Sequence, residues 1–339
     1  MTKMNMKQWV QDTLLLKEKK AMPILSFPSV QKMNITVRDL IFNSDLQAQG
    51  MKVIADATPN AAASVSLMDL SVEAECFGAK IRISDDEVPT VIGRVVNTEE
   101  QAHALQIPQI GEGRTSIYIE AIEKAIKMIT DRPVFAGVIG PFSLAGRLLD
   151  VSEAMVYCYE EPDMVHTVLE KATKFIIKYC EEYKKVGANG VVVAEPLAGL
   201  LSPSLVQEFS VEYMKKIVDA VQEDSFIVIY HNCGNCTIQQ IDSILSIGCP
   251  VLHFGNAIDM SEMMVHIPEN IIAMGNVDPA GQFRNGTKES IRQATLDIMG
   301  KCCKYPNFVI SSGCDIPPMS SWDNIDTFFE AIEEYYQNS

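Results

Sequence analysis

Soft metal ligands gather in two stretches of this chain. Phe226-Ile-Val-Ile-Tyr-His-Asn-Cys-Gly-Asn-Cys236 passes from an apolar run into an imidazole at His231 and thiols at Cys233 and Cys236, and Gly234 lets the backbone turn sharply between the thiols. Asn307-Phe-Val-Ile-Ser-Ser-Gly-Cys314 repeats the pattern in shorter form, an apolar run that ends in Gly then Cys. Zinc takes imidazole and thiolate in tetrahedral sites, and catalytic zinc keeps its fourth position for water or substrate. His231, Cys233 and Cys314 are therefore candidates for an open His-Cys-Cys site. Cys236 leaves two alternatives: a fourth ligand that closes the site, or a CxxC redox pair with Cys233. The bland reading makes these cysteines small buried hydrophobes.

Both stretches leave strand-like runs, so the strands must position the ligands. A helix is expected over 4–20, with Trp9, Val10 and Leu14 on one side and a basic end at Lys17, Lys19 and Lys20. Ile24 to Phe27 reads as a first strand, 37–56 as a helix, and Ala61 to Met68 as a second strand ending in Asp69. Cys76 to Ser84 and Val88 to Ile92 read as an inserted hairpin turning at Asp85, Asp86 and Glu87. From residue 114 the alternation is regular. Helices over 114–130, 142–158, 162–186, 203–222, 237–247, 259–266, 287–303 and 321–336 separate strands at Pro133 to Ile139, Gly190 to Glu195, 226–231, Pro250 to Phe254, Ile271 to Asn276 and Phe308 to Ser311. Continuous apolar strands alternating with helices mean a parallel sheet covered on both faces. Eight such strands predict an α/β fold, a (β/α)8 TIM barrel forming one domain over 1–339. The N-terminal helical segment and first strand occupy 1–60 and the hairpin insertion 72–95. An open doubly wound sheet is the other arrangement, but no Gly-rich phosphate fingerprint follows the first strand. In a barrel the C-terminal strand ends carry the chemistry, so Asp69, Glu195, His231, Cys233, Asn276, Asp278 and Cys314 are expected to converge.

Bulk composition narrows the partners. A chain of 339 residues that is 47% hydrophobic has ample material for a core. No apolar run approaches the ~18 residues a membrane span needs. Lysines near the start are not followed by an apolar segment of signal-peptide type, so a cytoplasmic location is expected. A formal charge of −16 disfavours nucleic acid and anionic membrane, and no basic stripe offsets it. Small molecules or another protein are the expected partners. Nine scattered cysteines argue for reduced thiols rather than a disulfide framework.

Four motifs carry a resemblance: Gly187-Ala-Asn-Gly-Val-Val-Val-Ala-Glu-Pro-Leu-Ala-Gly-Leu-Leu-Ser-Pro-Ser204, Tyr230-His-Asn-Cys-Gly-Asn235, Met274-Gly-Asn-Val-Asp-Pro279 and Ser312-Gly-Cys-Asp-Ile-Pro317. Together, in this order from about residue 60 to the end, the chain resembles the uroporphyrinogen decarboxylase superfamily, and within it the methylcobamide:coenzyme M methyltransferase branch. That resemblance implies zinc on His231, Cys233 and Cys314, with an acceptor thiol in the open position and its pKa depressed by the metal. It implies a methyl-corrinoid co-substrate, delivered by a separate corrinoid protein at the barrel mouth. Coenzyme M is the implied acceptor, with Arg147 and Arg284 the candidates for its sulfonate, and homocysteine, tetrahydrofolate or another thiol are the alternatives. Glu195 is then a transient fourth ligand, a base for the incoming thiol, or an acceptor that orients His231. Asp69 is the second catalytic candidate, and Tyr230, Asn276 and Asp278 are candidates for substrate contact. His253 and His266 read as structural, Cys302 and Cys303 as packing, and Met260 to Met264 as core filler.

The decarboxylase signature itself departs. Its arginine-rich RQAGR stretch corresponds to Leu25-Ser-Phe-Pro-Ser-Val-Gln31, which has no arginine; its acid after the second strand matches Asp69. Its tyrosine is missing from Gly140-Pro-Phe-Ser-Leu-Ala-Gly146, and its C-terminal Gly-His is Gly313-Cys314. A tetra-anionic porphyrinogen needs cationic anchors, so a lyase acting on a different carboxylate is the alternative enzyme. A redox protein or non-catalytic corrinoid-protein partner using Cys233 and Cys236 is the remaining class.

Overall fold

The apolar runs pair side by side. In the computed structural model, which describes residues 4–338, the strands are β1 (Ser64–Val65), β2 (Lys80–Arg82), β3 (Thr90–Ile92), β4 (Val134–Ile139), β5 (Gly190–Ala194), β6 (Ile227–Asn232), β7 (Val251–Phe254), β8 (Ile272–Val277) and β9 (Phe308–Ser312). β2 and β3 form an antiparallel pair apart from the rest, and the other seven make one sheet in the order β1-β4-β5-β6-β7-β8-β9. Every pairing in that sheet is parallel, with helices between successive strands from β4 onward. This is a TIM-barrel-like architecture.

The expected first strand, Ile24 to Phe27, is not laddered. The segment around it still spans the gap between the sheet's two edges. Ala21 bridges Ala61 on the β1 side, and the Met22 amide donates to the Ile310 carbonyl of β9 at 3.1 Å. Beyond that the regular pattern stops, because Pro23 has no amide to give and the Ile24 amide goes to the Ser312 hydroxyl at 3.0 Å. The eighth position is thus filled by irregular chain.

Alternation along the strands builds two cores. Ile227 and Ile229 point into the barrel with Val192, Val251, Ile272 and Val309, whereas Val228 and Tyr230 point out beneath the helices. Several helices differ from their expected extents. The first, Met6–Leu15, stops before the lysines. The 37–56 helix is two, Val37–Ile41 and Ser44–Ala57, because the Asn43 side chain accepts from the Asp45 and Leu46 amides and starts a new N-terminus. Asp150, at φ 83°, likewise divides Pro141–Leu149 from Val151–Glu160. Cys76 ends the helix Val72–Cys76 rather than opening the hairpin. A π-helical turn at Gln207–Val211 interrupts 203–222, the short helix Ser29–Met33 carries no clear sequence signal, and Glu99–Ala104 is started by the Thr98 side chain accepting from the Gln101 amide. Among the described residues no helix is long and apolar enough to cross a membrane.

The loops leaving β5 and β6 touch backbone to backbone. A Cβ on Gly234 would fall 2.4 Å from the Gly199 backbone. Gly234→Ala is therefore expected to part these loops and cost about 1–3 kcal/mol, the usual range for forced overpacking. Gly300→Ala is the control: its Cβ meets nothing within 4 Å, and relief of helical glycine should add about 0.5–1 kcal/mol. Urea unfolding of both variants checks the contrast.

Candidate metal centre

The inward register of β6 continues from Ile227 and Ile229 to His231, and Cys233 follows just past the strand end. Cys314 stands at the matching place after β9. One donor atom from each of His231, Cys233 and Cys314 lies within 4.8 Å of the other two, and His231 Nε2 is 3.4 Å from Cys314 Sγ. Ligand atoms of a tetrahedral zinc with these donors stand roughly 3.5–3.8 Å apart. The donor types and spacing fit a zinc ion after small adjustment. Close approach by the next loop is possible because residue 255 is glycine: a Cβ there would sit 2.4 Å from the Cys233 Cβ.

The two thiols are unlike. A hydrogen bond with the Cys314 thiol pulls Cys233 well below the ordinary thiol range, against burial and with help from His231. The same bond, then burial and the Cys233 charge, push Cys314 up. A cation held by both sulfurs would displace the proton of that bond. Cys180 and Cys249, by contrast, are fully buried and pushed up chiefly by burial, as packing cysteines are.

A buried chain of hydrogen bonds sets the His231 ring. Its Nδ1 is 2.7 Å from His253 Nδ1, His253 Nε2 is 2.8 Å from Ser311 Oγ, and that hydroxyl donates to the Met22 carbonyl at 2.7 Å. A carbonyl can only accept, so direction propagates back through the chain. Ser311 accepts from His253 Nε2–H, His253 Nδ1 accepts from His231 Nδ1–H, and His231 Nε2 is left bare toward Cys314. Burial, then the neighbouring His231, lower the His253 pKa, which keeps that ring neutral as the relay requires.

The expected carboxylates do other work. Of the roles open to Glu195, that of orienting His231 is taken by His253. The fully buried Glu195 carboxylate accepts from the Phe142 amide at 2.8 Å, the Ser143 amide at 3.0 Å and the Ser143 hydroxyl at 2.8 Å. Burial pushes it up to about 7, with those hydrogen bonds restraining the rise. Asp69 is also closed off. It pairs with Arg114, accepts from the Tyr118 hydroxyl at 2.7 Å, and accepts from the Ser71 amide and hydroxyl at 3.1 and 2.5 Å.

The remaining candidates fall outside the ligand cluster. Tyr230 lies on the helix side of β6, wholly buried, with its hydroxyl accepting from Asn232 Nδ2 at 2.9 Å, so it cannot meet a substrate inside the barrel. Asn276 donates to the Gly255 and Ile258 carbonyls at 3.0 and 2.9 Å. Asp278 accepts from the Ala280 and Gly281 amides at 3.0 and 2.9 Å. Both line a cleft with Asp259, Met260 and Lys301. Cys236 lies near Asn235 Oδ1 and is not in the three-residue donor group. Arg284 pairs with Glu87 of the hairpin turn through both guanidinium nitrogens, at 2.7 and 3.1 Å, which removes it as a sulfonate anchor.

Sequence reasoning read His253 only as structural and gave no role to Ser311 or Arg114. The signal for His253 is alternation: it follows inward-facing Val251 as His231 follows Ile229, and β6 and β7 pair His231 directly with His253. Arg114 gave none, being far from Asp69 in sequence.

Comparisons with known proteins match this picture. The family profile for Uroporphyrinogen decarboxylase (URO-D) covers residues 18–335. Methylcobamide:CoM methyltransferase MtbA of Methanosarcina acetivorans is 28% identical over 272 residues, 79% of this chain and 78% of that protein. Uroporphyrinogen decarboxylase of Coxiella burnetii is 26% identical over 286 residues, 80% of this chain and 77% of that protein. A solved methyltransferase from Methanosarcina mazei superposes with a TM-score of 0.84 at 21% identity, covering 98% of this chain and 99% of that one. With the profile spanning nearly the whole length and the fold shared end to end, this chain belongs to the uroporphyrinogen decarboxylase family.

Proposed function

We propose that the chain folds as one catalytic domain and is a zinc-dependent methyltransferase, moving a methyl group from a methylated corrinoid to a small thiol, as in transfer to coenzyme M. The observation that carries this reading is the convergence of His231, Cys233 and Cys314 at the C-terminal ends of β6 and β9. When bound there, zinc supplies a Lewis acid that holds the acceptor sulfur ionised at neutral pH. The relay from Met22 through Ser311 and His253 keeps the His231 Nε2 lone pair free for it. The acceptor sulfur attacks the methyl carbon in line. An S–C bond forms, the Co–C bond breaks, and its electron pair stays on cobalt. The corrinoid arrives on a separate protein at the barrel mouth. All the cysteines are unpaired, which fits the reducing cytoplasm.

The decarboxylase relatives favour a second reading, a lyase acting on another carboxylate, for which Asp69 would have to meet the substrate. Its hydrogen-bonding capacity is already taken by Arg114, Tyr118 and Ser71, so this reading is the weaker.

Zinc content decides first. Chelator-washed wild-type protein should retain equimolar zinc by elemental analysis and turn over methylcobalamin with a thiol, and Cys314→Ser should lose both. Full zinc retention in that variant would refute the ligand assignment. His253→Ala, which leaves the ligands in place but unties the ring, should weaken zinc binding roughly 10–100-fold in a chelator competition. Arg114→Met strands the buried Asp69 carboxylate and should cost about 3–5 kcal/mol of unfolding free energy. A normal urea midpoint for that variant would return Asp69 to the list of groups free for substrate.

A further inference from the structure

Cys233 stands one residue past β6, where the sheet's ladder no longer fixes the backbone. Its neighbour's side chain takes over that task. Asn232 Oδ1 accepts from the Gly234 amide at 2.9 Å, closing an Asx turn with Cys233 at its centre. The alternation of β6 sends the Asn232 side chain toward the helices, as it sends Tyr230. The turn is therefore gripped from behind, on the side away from His231 and Cys314. The Asn232 carbonyl in turn accepts from the Gly255 amide at 3.0 Å, and Gly255 is the residue whose Cβ would strike the Cys233 Cβ. One residue thus holds both the turn that carries Cys233 and the loop that crosses it.

The Asn232 amide has a single working orientation. A backbone N–H can only donate, so Oδ1 must face Gly234, and the NH2 group must face Tyr230, whose hydroxyl oxygen accepts at 2.9 Å. Turned over, the amide would set its own donors against the Gly234 N–H. Water cannot stand in for either bond. Asn232 and Tyr230 are wholly buried, and a Cβ on Gly199 would fall 2.1 Å from Asn232 Oδ1. Loss of either side chain's polar atoms strands an enclosed group.

Resting on the assignment of Cys233 as a zinc ligand, we infer that Asn232 is a positioning residue for the Cys233 sulfur and that Tyr230 acts on the centre through it. Neither is a ligand. A tetrahedral site needs all its donors brought to fixed places. His253 sets the imidazole of His231, and Asn232 sets the thiolate of Cys233 by a similar device, a buried side chain one step behind the ligand. Tyr230 faces away from any substrate in the barrel, yet its hydroxyl receives the amide that keeps this turn closed.

The test follows the metal and the sulfur separately. Asn232→Leu, of similar volume and without an acceptor, should weaken zinc binding roughly 10–100-fold in a chelator competition. Tyr230→Phe should weaken it roughly 2–10-fold, the worth of one neutral hydrogen bond, and should add nothing in the Asn232→Leu background. Cobalt(II) in place of zinc reads the ligands themselves. In Asn232→Leu its sulfur-to-cobalt charge-transfer band should fall to the level of Cys233→Ser, a change that a general loss of stability does not produce. Metal-free protein supplies the independent readout. Dibromobimane, which fluoresces only on joining two thiols, should link Cys233 to Cys314 in the wild type, as mapped on the peptides, and that link should be lost in Asn232→Leu. Loss of the link in a protein that binds neither zinc nor cobalt would leave the positioning standing and remove the metal reading. Wild-type zinc affinity in either variant, or a link that forms equally in Asn232→Leu, would overturn the positioning and leave the metal reading intact. Tyr230→Phe removes one oxygen from the core and so decides the matter if Asn232→Leu does not fold.

Discussion

An imidazole binds a metal only through a bare nitrogen, so the position of one proton on His231 governs what the barrel mouth can hold. That proton is fixed from a distance by the Met22 carbonyl, which can accept and never donate, through Ser311 and His253. The cost falls on the barrel seam. The hydroxyl of Ser311 occupies the Met22 carbonyl and that of Ser312 occupies the Ile24 amide. These are backbone groups that an eighth strand would use in its ladder. Ser311 therefore sets the His231 ring through His253, and Ser311 and Ser312 together keep the closing segment irregular, so the incomplete ladder belongs to the construction of the candidate site.

This coupling explains where the sequence could be read and where it could not. Strands β4 to β9 were legible because each is a continuous apolar run between helical patterns, the signature of a sheet buried on both faces. The convergence of His231, Cys233 and Cys314 was legible for a related reason: they stand at or immediately past the ends of two such runs. Ile24 to Phe27 has the same composition as a strand, and nothing local reveals that its backbone groups are claimed by side chains of residues nearly three hundred positions away. Helix interruptions at Asn43 and Asp150 were marked only by single capping residues inside otherwise helical patterns. The partner of His231 escaped because it depends on the register between β6 and β7, a pairing property that neither strand expresses alone.

Polar residues at strand ends looked equivalent in the sequence, and hydrogen bonding separates them. Asp69, Asn276 and Asp278 hold backbone amides, carbonyls or a buried arginine, and their capacity is spent on loop geometry. Glu73 Oε2 and Arg147 Nε are enclosed without a hydrogen bond, and the two groups act on each other's charge. Burying a satisfied polar group is cheap and burying an unsatisfied one is not. Asp69, Asn276 and Asp278 therefore build the mouth.

Glu195 joins the two sets. As a carboxylate at the end of β5 it had the position of a catalytic acid, yet its oxygens bind the Phe142 and Ser143 amides and so clamp the start of the helix Pro141–Leu149 to the sheet. A Cβ at Gly140 would fall 2.3 Å from the Glu195 Cγ, so the chain must pass it as glycine for the clamp to close. That helix carries Arg147. Its register on the sheet, and hence the place of the Arg147 guanidinium beside the Glu73 charge, is set by a buried carboxylate that touches neither the thiols nor the imidazole. A residue can thus shape the mouth of this barrel through the helix it anchors, a role that chemical type and strand-end position alone do not express.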